Sequence, residues 1–204
     1  MTQHPFIRSL ALAISLFGLT AQAAAAKPEP DVAKVLQQSF KEKGQAGLDR
    51  LQQDETQAAC STGKPVQPEA AAKIIATNQA SVRDPADGQY LGDWKAGEKV
   101  AQSGTGRQFS DDPAKPSGGN CYACHQMAEK EIAYGTIGPS LKHYGKLRGT
   151  SEPILKYTWA KLYNAQAFMP CSLMPRFGHK DILTEQQLKD VMALLFDASS
   201  PVNQ

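Results

Sequence analysis

The stretch Gly119-Asn120-Cys121-Tyr122-Ala123-Cys124-His125 constrains this chain more than any other. Two cysteines separated by two residues, with a histidine directly after the second, form an attachment site for a c-type haem. Each sulfur adds to one haem vinyl group, and the neighbouring imidazole has the reach to ligate the iron from one face. The spacing is short because both vinyls and the iron sit on one rigid plate. The competing readings of such a pair are a thioredoxin-like redox couple and half of a zinc site.

The beginning of the chain bears on that choice. Arg8 supplies a positive start, Leu10 to Leu19 is an apolar run, and Ala21-Gln22-Ala23 and Ala24-Ala25-Ala26 are small-x-small patterns. Residues 1–26 therefore read as a signal peptide, cleaved after Ala23 or after Ala26. The apolar run is too short to span a bilayer comfortably, and no other segment approaches that length. The mature protein is expected to be soluble and exported, with no membrane span, which in a bacterium means the periplasm. Covalent haem attachment happens outside the bacterial cytoplasm, so this address favours haem over zinc or thioredoxin chemistry. The formal net charge is +2 with no basic cluster, which argues against a nucleic-acid partner.

Residues 27–89 read as a helical N-terminal extension. Asp31 is placed to cap a helix running to about Lys43, with Val32, Val35, Leu36 and Phe40 at helical spacing. Leu48 to about Ala59 continues in helical style, and Glu69 to about Val82 forms a third segment behind Pro68. No chemistry is visible here. The extension serves either as packing for the main domain or as an arm for a partner.

From residue 90 the pattern changes. Asp93 caps an amphipathic helix reaching about Ser103. A polar loop leads to the CxxCH stretch, and Thr136-Ile137-Gly138-Pro139-Ser140-Leu141 follows about a dozen residues after it. Helix, CxxCH and Gly-Pro-x-Leu turn in this order resemble the class I cytochromes c. The resemblance implies an all-α fold, with a class I cytochrome c domain over 90–204 that holds one covalent haem c. A histidine that ligates through Nε2 needs an acceptor for Nδ1–H, and in the family the carbonyl of the turn proline supplies it, which implies Pro139. A further helix is expected from Glu152 or Pro153 to about Asn164. The last, Glu185 to about Asp197, carries a capping box made by Thr184 and Gln187. In the family the first and last helices of the domain cross beside the haem.

An electron carrier needs a ligand on the other haem face, and a thioether raises the potential by favouring Fe(II). Met169 and Met174 compete, each followed by proline. Met174-Pro175-Arg176-Phe177 resembles the family's ligand loop more closely and leads directly to the last helix; Met169 remains the alternative. Met127 and Met192 read as packing residues. His143, on the proximal side, and His179 are the candidates for bis-histidine ligation. Four cysteines less two for haem leave Cys60 and Cys171. In exported sequence an even remainder suggests a disulfide, worth roughly 4 to 5 kcal/mol for so long a closed loop in the chain-entropy model. The alternative is a reactive thiol that carries sulfur.

The run from Met169 to Gly178, continuing through Ile182 to Gln187, resembles the SoxX subunits of SoxAX sulfur-oxidising cytochromes, as do the CxxCH and Gly-Pro-x-Leu stretches. The likeness covers about residues 90 to 197. It implies a heterodimer with a SoxA-like cytochrome subunit. That pair joins thiosulfate to a cysteine of a SoxYZ-like carrier protein, an L-cysteine S-thiosulfotransferase activity whose catalytic centre lies on the partner. This chain would accept the electrons and pass them to a soluble cytochrome c. A free-standing periplasmic carrier would need the same haem and the same methionine. What separates the two is an apolar docking patch, for which Tyr122, Phe168, Leu173 and Phe177 are candidates.

Overall fold

The computed structural model describes residues 31–204. The signal peptide expected over 1–26, with its cleavage positions Ala23 and Ala26, lies outside the described residues. Two compact units divide at residue 38. In the first, α1 (Val32–Ser39) begins at Asp31, whose carboxylate accepts the Lys34 N–H at 3.2 Å. It stops short of Lys43, and none of its residues is buried. A helix this short, without a packed face, has little to extend it.

The regular structure of the second unit, Ser39–Gln204, is helical apart from one isolated bridge between Lys43 and Ala46. It contains α2 (Glu55–Cys60), α3 (Pro68–Ala80), α4 (Trp94–Gln102), α5 (Tyr144–Arg148), α6 (Glu152–Tyr163) and α7 (Glu185–Phe196). Single 3₁₀ turns sit at Leu48–Leu51, Cys121–Ala123, Ala165–Ala167 and Pro201–Asn203. The helix expected over 48–59 is broken in two. Asp54 accepts the Gln57 N–H at 2.9 Å while Gln57 reaches back to the Asp54 N–H at 3.0 Å, and this capping box starts α2 afresh. The short α5 was not expected; its N-cap, His143, is in the left-handed region (φ 56°) and makes no side-chain cap. Among the described residues no helix is long and apolar enough to cross a membrane.

The core is built around α7. Every residue from Leu188 to Phe196 is buried, including Lys189 and Asp190. Charges at such positions need partners. Lys189 Nζ donates to both Asp87 oxygens at 2.8 and 2.7 Å, and Asp190 Oδ1 accepts from the Asp93 N–H at 2.9 Å and from Gln186 Nε2 at 2.8 Å. The segment leading into α4 is thereby fastened along α7. Across the other side of that segment, Trp159 of α6 donates its indole N–H to the Arg83 carbonyl at 2.7 Å. α4 crosses α7 at Gly97, where a Cβ would fall on the Asp190 carbonyl. At the far end of α7, Asn203 donates to the Leu195 and Asp197 carbonyls at 3.0 and 2.9 Å, satisfying acceptors that a helix end otherwise leaves open. Met127 and Met192 are fully buried in this core.

Candidate functional site

The loop that follows α4 closes on itself. Gly118 N–H bonds the Thr105 carbonyl at 2.9 Å, Gly119 N–H the Val100 carbonyl at 2.8 Å, and Asn120 N–H the Ser103 carbonyl at 2.8 Å. These bonds return the chain to the end of α4 just before the cysteine motif. Asn120 adopts φ 48°, a left-handed conformation that asparagine tolerates, and the chain enters the 3₁₀ turn. Cys124 N–H and His125 N–H both bond the Cys121 carbonyl, at 3.1 and 2.9 Å. One tight turn therefore presents Cys121, Cys124 and His125 on one face, since positions three and four apart are neighbours.

A second segment lies against this turn. Gly135 N–H bonds the Tyr122 carbonyl at 3.0 Å, Gly138 N–H the Cys124 carbonyl at 2.8 Å, and Leu141 N–H the Gln126 carbonyl at 2.8 Å. This pairing brings the Pro139 carbonyl to 2.7 Å from His125 Nδ1. A carbonyl only accepts, so Nδ1 carries the proton and Nε2 is the nitrogen with the lone pair. Gly138 has a role that motif reading missed: a Cβ there would overlap the His125 ring. The absent side chain is the space in which the imidazole lies.

Burial pushes the Cys121 thiol up to about 12, so it is held neutral. Among the described residues no three His, Cys, Asp or Glu side chains converge as a metal cluster. Two thiols on one turn beside an imidazole with an oriented Nε2 are a donor set that fits a covalently attached haem.

The two candidate distal methionines differ in their surroundings. Met174 packs against the core cluster, whereas Met169 is 60% exposed. Phe177 and Arg176, just after Met174, are buried, as is Tyr122. Of the four side chains considered for a docking patch, Tyr122 and Phe177 thus belong to the core. Leu173 is 85% exposed, and Phe168 is half-buried against Tyr157, edge to face at 4.9 Å. His143 is anchored at the start of α5 by its N–H on the Val202 carbonyl at 2.6 Å, with Nε2 3.8 Å from Glu129. His179 sits behind the loop, its N–H on the Tyr163 carbonyl at 3.0 Å. Burial, followed by the nearby Arg176 and Lys180 cations, holds its imidazole below the ordinary value.

Cys60 and Cys171 are joined as a disulfide, with Cα atoms 5.5 Å apart. Two further links run beside it. Asp54 Oδ2 receives Arg176 Nη2 at 2.6 Å and Lys180 Nζ at 3.0 Å. Asn164, fully buried, donates to Asn78 Oδ1 at 2.8 Å and Ser81 Oγ at 3.0 Å, and Asn78 in turn donates to Thr56 at 2.9 Å. None of these partners was identified from sequence, although the Asp54-x-x-Gln57 capping box was there to be read. Partial burial would raise the Asp54 pKa, but the Gln57 amide, Lys180 and Arg176 outweigh it and hold the carboxyl well below the usual range. A folded-state pKa below the unfolded value contributes stability above about pH 4 that is lost as pH falls below it. Urea unfolding at pH 7 and pH 3 should therefore show Asp54→Asn clearly destabilised at pH 7, with the gap to the native protein narrowing at pH 3.

A cavity of about 650 Å³ lies between the 105–117 loop and the start of α7, floored by Trp159, Leu183 and Leu188 and rimmed by Arg83, Arg107 and Lys115. Neither the attachment residues nor Met174 line it.

The sequence profile of the family described as Cytochrome c matches residues 105–198. A protein of Aquifex aeolicus (strain VF5), described as "Uncharacterized lipoprotein", is 37% identical over 191 residues, covering 90% of this chain and 90% of the relative. The profile spans the attachment turn, the Pro139 segment, both methionines and α7, and it implies a covalently bound haem c. With its all-helical architecture and the α4–α7 crossing, the chain belongs to the class I cytochrome c family.

Proposed function

We propose that this protein is a monohaem electron-transfer subunit of the SoxX type, working in a SoxAX-like pair. The observation that carries electron transfer is the combination of a His125 ring fixed on Pro139 at 2.7 Å with a partly buried Met174 packed against the core. Cys121 and Cys124 would tether the haem, His125 would ligate its iron through Nε2, and Met174 would supply the second ligand. Bound haem supplies a one-electron Fe(III)/Fe(II) couple. With His125 and Met174 both serving as ligands, the bound haem would be suited to passing electrons more than to binding a substrate. A thioether ligand favours Fe(II) and would raise the potential.

The SoxAX assignment is supported by the likeness of the Met169 to Gly178 loop and the stretch following it. In that reading the SoxA-like partner joins thiosulfate to a thiol of a SoxYZ-like carrier. One S–S bond forms, and the thiol proton and two electrons leave. A single haem here must therefore turn over twice per coupling, passing each electron to a soluble cytochrome c. The lipoprotein description of the Aquifex relative supports an exported, periplasmic location. One observation favours a free-standing carrier instead: Tyr122 and Phe177 are in the core, which shrinks the apolar patch available for a permanent partner.

Two measurements test this. The oxidised protein should show the weak near-infrared band of methionine-ligated haem, abolished by Met174→Ala and retained by Met169→Ala. Co-expressed with a SoxA-like cytochrome, the protein should purify as a heterodimer whose haem is reduced by thiosulfate in the presence of the carrier. A monomer without a cytochrome partner would move the assignment to the free-standing carrier.

A further inference from the structure

We propose that residues 54–81 of the extension act as a clamp that keeps Met174 on the iron, with Asp54 as its main positioning residue. The proposal rests on Met174 being the distal ligand. Between Met169 and Arg176 the loop makes few bonds of its own: Ser172 N–H reaches the Met169 carbonyl at 3.1 Å and Met174 N–H reaches Ser172 Oγ at 3.3 Å. Two short-range bonds do not hold a loop closed.

What holds it comes from 86 to 122 residues away in the sequence. The Cys60–Cys171 disulfide, with a sequence separation of 111, fastens the loop three residues before Met174. Asp54 takes Arg176 two residues after Met174, and adds Lys180 beyond it. The buried relay from Thr56 through Asn78 to Asn164 anchors the chain where α6 hands over to the loop. The three links grip the loop before, within and after its inward turn, and all come from one short stretch of the extension. Arg176 is only 7% exposed, so its guanidinium has little water to replace a lost carboxylate. Losing that partner drives Arg176 outward, and Met174 lies two residues from it.

The clamp therefore sets the fraction of molecules in which Met174 has left the iron. An external ligand binds only that open fraction, so its apparent affinity rises in proportion to it. The probe is imidazole, titrated into the oxidised holoprotein. Asp54→Asn retains an N-cap acceptor for α2 while removing the charge, and it should bind imidazole about tenfold more tightly than the native protein. Cys60→Ala/Cys171→Ala should show a similar gain, and the near-infrared band should weaken in both. Glu55→Gln, an exposed neighbour outside the links, should behave as the native protein. Should Asp54→Asn fail to fold with haem, the double cysteine variant, which keeps the ion pair, carries the test. A native protein with the band and variants whose imidazole affinity stays within twofold of it overturn the clamp alone. A native protein without the band overturns the Met174 assignment and the clamp with it.

Discussion

Replacing Gly138 with alanine is expected to leave the protein folded but to take His125 out of line, so that the oxidised holoprotein loses its low-spin spectrum. The backbone at Gly138 is not in the left-handed region, so alanine meets no conformational objection there. The objection is contact: the added methyl would lie among the His125 ring atoms. Either the ring turns, breaking the Nδ1–H bond to Pro139, or the turn retreats, breaking the Gly138 to Cys124 bond. Each loss costs about 1 kcal/mol net, small enough to leave the fold standing. Both displace Nε2 by more than an axial bond tolerates. Gly149→Ala is the contrasting control. Its φ is 73°, but an added Cβ meets nothing within 4 Å. It should cost about 1 kcal/mol of stability through backbone strain and leave the spectrum unchanged. A Gly138→Ala protein with the native absorption spectrum would mean that the ring does not rest on this turn.

The contrast between Gly138 and Pro139 shows what was legible in the sequence. Pro139 could be assigned through the resemblance to class I cytochromes c, whose turn proline supplies the acceptor an imidazole needs, whereas the need for an empty space one residue earlier exists only once the ring is placed. α4 and α7 lie within a residue of their expected bounds because their signals are local: Asp93 bonds the Lys95 N–H at 2.9 Å, and Thr184 with Gln187 closes a capping box. Local reading fails where tertiary contacts decide. Met169 and Met174 are each followed by proline; Met174-Pro175-Arg176-Phe177 favours Met174 only through its resemblance to the family's ligand loop, and the difference in packing between the two is tertiary. Asp54 and Arg176 are 122 positions apart, so their ion pair has no sequence signature. The disulfide was reachable because four cysteines less two leave a single pairing. Tyr122 and Phe177 look alike as surface or core candidates until the packing around α7 assigns them to the core.

Gly97→Ala should destabilise the protein by about 2 kcal/mol in urea unfolding, against what helix propensity alone predicts. In the middle of an isolated helix, alanine is better than glycine by about 1 kcal/mol. Here the new methyl would lie on the Asp190 carbonyl and close to the Val191 N–H, both backbone groups of α7. No flexible side-chain end is available to move aside, so the helices must separate. Overpacking of this kind costs about 1–3 kcal/mol. The separation also loosens the Gly92 N–H bond to the Lys189 carbonyl at 2.9 Å and the Asp93 bond to Asp190, which sit at the same crossing. These added losses make the steric effect the larger one. The consequence extends to the haem, because the end of α4 supplies the Val100 and Ser103 carbonyls that receive Gly119 and Asn120 just before Cys121. A shifted α4 misplaces the attachment turn, so the variant should also incorporate less haem per chain during expression, read as the ratio of haem to protein absorbance. Greater stability than the native protein, with full haem content, would show that α4 and α7 do not approach this closely.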